Sequence, residues 1–109
     1  MNYKEEMKEL NKQVELAEKA GQLPIDLYKR QLEILEYAHE DFIKRAQKAG
    51  YNLHSNLEVM EVEIKQISAM KQIAQKAGMD TDNYEKRIED VRIRVLGESS
   101  IEVNFKTLT

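Results

Sequence analysis

The chain has no cysteine in its 109 residues. A disulfide framework and a thiolate metal site are therefore excluded. No apolar run approaches the roughly 20 residues that a membrane span requires. The stretch Met1–Leu10 is charged within its first four residues and has no apolar h-region, so no signal peptide is expected there. Positive charge is not in surplus: 17 Lys and Arg face 20 Asp and Glu, a net charge of −3. That balance leaves no electrostatic footprint for nucleic acid or an anionic membrane. Aromatic residues make up 6% of the chain, too few for a base-stacking platform. There is no Gly-rich phosphate loop, nucleophile elbow or Cys–His pair. These absences point away from an enzyme. They lead us to expect a cytoplasmic protein that needs no cofactor, does not enter a membrane and has little use for nucleic acid.

What is present is a repeated helix ending. The five letters A-x-K-A-G occur as Ala17–Gly21, Ala46–Gly50 and Ala74–Gly78. Lysine falls in a last helical turn, where the macrodipole favours a cation, and glycine follows where the chain must turn left-handed. Similarity beyond the boxes is slight. Tyr28-Lys29-Arg30 follows the first and Tyr84-Glu85-Lys86-Arg87 follows the third, but the second has no counterpart. Recurrent helix-end chemistry explains this better than duplication, and single-helix units match no solenoid class.

Between these stops the apolar residues repeat at steps of four and three. Tyr3, Met7, Leu10, Val14 and Ala17 form a heptad seam. Tyr28, Leu32, Leu35, His39, Phe42, Ala46 and Ala49 form a second seam, after Pro24 placed in a first helical turn, with Leu27, Ile34 and Ala38 beside it. The third helix is expected to start at a capping box, Ser55 with Glu58. It carries two apolar stripes: Leu57, Met60, Ile64, Ile67 and Ala74, then Val59, Val62, Ala69 and Ile73, with Met70 between. Two stripes imply neighbours on two sides. Tyr84, Ile88, Val91 and Val95 mark a fourth helix that stops at Gly97. Six acid-to-base pairs at i,i+4 are expected on exposed faces: Glu15–Lys19, Glu40–Lys44, Asp41–Arg45, Glu61–Lys65, Asp82–Lys86 and Asp90–Arg94.

The expected fold is all-α: an antiparallel bundle of about four helices over residues 1–97, with helices 2 and 3 as a long central hairpin and helices 1 and 4 flanking it. Residues 98–109 change period. Ile101, Val103 and Phe105 alternate with polar residues, which predicts a short extended or β segment with no second strand to pair with.

Two constellations bear on chemistry. Glu36-x-x-His39 has the i,i+3 spacing of carboxylate-bridged metal bundles. The design needs a second such motif, and His54 has no glutamate at that spacing, so a seam histidine beside Glu36 and Glu40 is the expected reading. Such a residue would make stability sensitive to pH. Lys86, Arg87, Arg92 and Arg94 concentrate positive charge on helix 4. Glu85, Glu89 and Asp90 interleave with them, so salt bridges are expected rather than phosphate binding. The acidic counterparts are Glu33, Glu36, Glu40 and Asp41 on helix 2 and Glu58, Glu61 and Glu63 on helix 3.

The function class these features suggest is a non-enzymatic protein-interaction module. An adaptor, a regulator or a stoichiometric inhibitor of a larger protein would fit, of the kind found among phage and mobile-element accessory proteins. A structural oligomer-former is the alternative, followed by a nucleic-acid-associated protein. A homodimer or higher oligomer is expected because helix 3 carries more apolar surface than a four-helix monomer needs. The expected partner-binding residues are Val59, Val62, Ile73, Ile101, Val103 and Phe105.

Overall fold

A computed structural model describes residues 2–97. It contains four α-helices: α1 (Tyr3–Lys19), α2 (Ile25–Lys48), α3 (Leu57–Lys76) and α4 (Asp82–Leu96). No strand is present among the described residues. The alternating segment with Ile101, Val103 and Phe105 lies outside them.

The A-x-K-A-G boxes are Schellman endings. The glycines adopt φ of 76°, 88° and 73°. In each case the residue after glycine donates its N–H to the first alanine of the box: Gln22 to Ala17 (2.9 Å), Tyr51 to Ala46 (3.0 Å) and Met79 to Ala74 (2.9 Å). Glycine N–H groups close the inner bonds to Glu18, Gln47 and Gln75. Glycine supplies the left-handed turn and lysine the cation of the last turn in all three. The starts differ from expectation in two places. Asn56, not Ser55, caps α3 by accepting from Val59 N–H at 3.0 Å, while the Ser55 N–H is used in a turn to Asn52. Pro24 sits one position before α2 as its N-cap, and its carbonyl accepts from Tyr28 N–H at 3.0 Å.

α2 and α3 form the central antiparallel hairpin, and α1 and α4 flank it. α1 packs on α2, α2 on α3 and α3 on α4; among the described residues no other pair of helices is in backbone contact. The array is therefore open, since α1 and α4 do not meet to close a ring. Its Cα atoms span 52 × 34 × 17 Å with a radius of gyration of 16.4 Å, against about 13 Å for a compact chain of this length.

The core lies among three helices: Leu32 of α2, Ile67, Met70 and Ala74 of α3, and Tyr84 and Val91 of α4, with Leu35, Met60, Ile64, Ile73 and Ile88 packed around them. The two apolar sides of α3 thus face two neighbours, as its stripes predict. α1 buries only Leu10 and Val14. Tyr28 and Ile34 of α2, 1% and 2% exposed, are buried outside the three-helix core, and polar groups also join α1 to α2. Arg30 holds Glu6 bidentately at 2.6 and 2.9 Å, Gln31 donates to Asn11 at 2.8 Å, Tyr28 donates to Glu18 at 2.7 Å, and the rings of Tyr3 and Tyr37 stack at 5.2 Å.

Candidate functional site

Two features stand out from the helical packing: a buried carboxylate and a half-exposed apolar groove.

The carboxylate is Glu63. It occupies a core-facing position on α3, in line with Val59, Ile67, Met70 and Ala74, and is 1% exposed. Its two oxygens are taken by two helices. His39 of α2 lies with Nε2 3.2 Å from Oε2, and Arg94 of α4 donates to Oε1. Because a carboxylate only accepts, His39 Nε2 carries the hydrogen. Arg94 Nε also donates to the Leu53 carbonyl at 3.1 Å, which anchors the α2–α3 loop. Burial alone would push the Glu63 carboxyl up; the hydrogen bonds from His39 and Arg94 and the Arg94 charge outweigh it and hold the group below its ordinary range.

A second cross-link sits earlier on α4. Arg87 grips Glu36 of α2 bidentately at 2.5 and 3.1 Å and lies 5.8 Å from the Tyr84 ring centroid. The Glu36 carboxylate holds the Arg87 guanidinium above its ordinary range. Arg87 and Arg94 therefore serve as ties across α3, in keeping with the salt-bridge reading of the basic helix. Glu36 and His39 do not act together: one goes to α4 and the other to α3. His39 meets Glu63, not Glu36 or Glu40. Only two of the six expected i,i+4 pairs form among the described residues, Glu15–Lys19 at 3.0 Å and Asp41–Arg45 at 2.9 Å. Asp90 loses Arg94 to the better-buried Glu63.

The groove runs between α1 and α2. Tyr3, Lys4, Met7, Lys8 and Asn11 form its α1 wall, and Ile34, Leu35 and Ala38 form its floor, enclosing about 500 Å³. Around α2, Gln31, Leu35, Ala38 and Phe42 recur at steps of four, three and four, a stripe between the α1-facing and α3-facing sides. Phe42 and Leu35 are half-buried and Ala38 is exposed. Toward the α1 N-terminus the groove opens into a larger depression of about 870 Å³ lined by Tyr37, Glu40, Asp41, Lys44 and Arg45. There α2 runs on past the end of the shorter α1.

On α3, Val62, Gln66, Ala69 and Ile73 also recur at steps of four, three and four. They lie on the flank opposite Lys71. Since Lys71 reaches Glu85 of α4 at 2.9 Å, this flank is turned away from α4. Val62 is 39% exposed, and Ala69 and Ile73 are half-buried. The Gln66 side-chain oxygen is buried with no partner among the described residues.

The expected partner-binding residues are thus divided. Val62 is on the surface and Ile73 is half-covered against the core. Val59 is 6% exposed, turned inward beside the α3 cap, and so belongs to the packing rather than the surface. Ile101, Val103 and Phe105 lie outside the described residues. The groove residues Met7 and Leu35 are legible only as seam positions and Ala38 as part of the stripe beside the seam, because periodicity shows which face is apolar but not how fully a neighbour covers it. No helix among the described residues is long and apolar enough to cross a membrane. No family model, curated protein or solved structure matches the chain.

Proposed function

We propose that the chain is a non-enzymatic protein-interaction module, an adaptor or a stoichiometric regulator of a larger protein. One observation carries this reading. An open helical array leaves apolar side chains of α1 and α2 half-covered along one elongated groove, while the charged side chains around the core are occupied with one another. Elongated apolar grooves between helices are a common seat for a partner segment. Polar clusters that could do chemistry are here used as ties: Glu63 is out of reach of solvent, and its neighbours lie outside the grooves.

The test is affinity capture from the native host with the unaltered chain and with Ala38→Arg, followed by mass spectrometry. Ala38 is an exposed helical position in the groove floor, so arginine there fills the groove without disturbing the core. A defined partner at fixed stoichiometry should be lost in the variant while its circular dichroism stays the same. Equal capture by both chains would count against the groove as the docking site.

The alternative, a homodimer or higher oligomer, is favoured by the same half-covered flank of α3 with Val62 and Ile73. Sedimentation decides it. A particle of 12.8 kDa at micromolar concentration would remove self-association from the account.

A further inference from the structure

The lining of the α1–α2 groove has a charge of its own. Eight residues form it, and two of them, Lys4 and Lys8, are cationic; none is acidic. The chain as a whole carries −3. Lys4 and Lys8 are one turn apart on the wall, and neither forms an ion pair with a carboxylate among the described residues. Three acids of α1 are engaged elsewhere: Glu6 with Arg30, Glu15 with Lys19, and Glu18 with Tyr28 and Lys76. The floor is apolar, and at its junction with the adjoining depression the small Ala38 leaves room for an inserted side chain, in the manner of a hole that takes a knob. The groove also follows the helix axes, which suits an occupant that is itself a rod about 10 Å wide.

From this charge complementarity we propose that the groove binds an acidic amphipathic helix: a partner segment with apolar side chains at i, i+3 or i+4 and i+7, and aspartate or glutamate on the flanks that meet Lys4 and Lys8. The proposal rests on the interaction-module reading and specifies its partner. Other occupants fit less well. A nucleic acid would find two lysines over an apolar floor, and the nearest aromatic rings, Tyr3 and Tyr37, are stacked on each other rather than offered to bases. A bilayer cannot enter a concave groove. A second copy docking through its own α1 would bring Lys4, Lys8 and Lys12 against Lys4 and Lys8.

Three fluorescein-labelled peptides of α1 length, 17 residues, test this with the full chain. All share one leucine face; the flanks are glutamate in the first and lysine in the second, and the third is the glutamate peptide scrambled so that no apolar face survives. The glutamate peptide should bind, more weakly at about 200 mM than at about 50 mM salt, and the other two should not. Lys4→Glu with Lys8→Glu should weaken it about tenfold and begin to admit the lysine peptide. Ala38→Arg should abolish binding. Equal binding of both charged peptides, indifference to the double reversal, tighter binding of a labelled oligonucleotide, or self-association that Ala38→Arg removes would each overturn the proposal. The wider reading fails separately. If Ala38→Arg loses a captured host partner but the lysine reversal does not affect that partner, the groove is a docking site and only its acidic occupant is wrong.

Discussion

The two ends of the helical array are held by different physics. α2, α3 and α4 share a core in which Ile67, Met70 and Ala74 are essentially inaccessible, closed by a carboxylate that both outer helices contact. α1 contributes only two buried residues, and among the polar ties that join it to α2 the Arg30–Glu6 pair is about one-third exposed on both sides. Exposed ion pairs contribute little, because water and salt screen them. Apolar burial contributes roughly 1.5–3 kcal/mol per side chain. The unit of α2, α3 and α4 should therefore carry most of the stability, with α1 the weakest element of the array. One wall of the groove is then the helix that opens most readily.

The largest expected effect lies in the core. Ile67→Ala should cost about 2–5 kcal/mol and broaden or abolish the thermal transition, read by circular dichroism. Val14→Ala on α1 should cost less and release α1 while the signal of the other helices survives. If both variants lost structure in a single step at the same temperature, the division would be broken.

Next comes the Glu63 node. Arg94→Met leaves a buried carboxylate with one partner fewer. The cost should be about 3 kcal/mol, the low end for a buried pair because Arg94 is partly exposed. Glu63→Gln keeps the shape and should cost less than Arg94→Met.

The same group gives a pH dependence with a definite sign. The Glu63 carboxyl sits below its ordinary value in the folded chain, so the unfolded chain binds its proton first as pH falls. The stability it contributes is present above the ordinary carboxylate range and is lost as pH drops through the folded value. Melting temperatures followed from about pH 7 to pH 3 should fall more steeply in the unaltered chain than in Glu63→Gln. Parallel curves would show that the node does not couple to protons.

A smaller effect is expected at the helix ends. Gly78→Ala meets no atoms within 4 Å, so its cost is the left-handed backbone alone, about 1–2 kcal/mol. Loss of the Arg30 tie, by Arg30→Ala, should be smallest. It should show only as faster amide exchange in α1.

Much of this was legible in the sequence, and the reasons are specific. The A-x-K-A-G boxes fix three helix ends because glycine, lysine and alanine each answer a local backbone need. The heptad seams of α1 and α4 match their buried faces, since Leu10, Val14, Tyr84 and Val91 fall on them. Glu63 was not legible. A charged residue reads as surface, so the two apolar stripes of α3, one with Ile67 and one with Val59, leave out Glu63 between them. The available signal was its position: four after Val59, four before Ile67, with Arg94 on another helix free to reach it. The open array was not legible either. Periodicity tells which face of a helix seeks cover, and the heptads of α1 and α4 do not say that these two helices never meet. The groove follows from that, and so it too appears only once the helices are placed.

Native-state amide hydrogen exchange tests the central comparison most directly. The account predicts that the interior amides of α1 exchange through a local opening well below the global unfolding free energy, while those around Ile67 and Met70 in α3 exchange only with global unfolding. Equal protection of α1 and α3 would contradict it and make the four helices one cooperative unit.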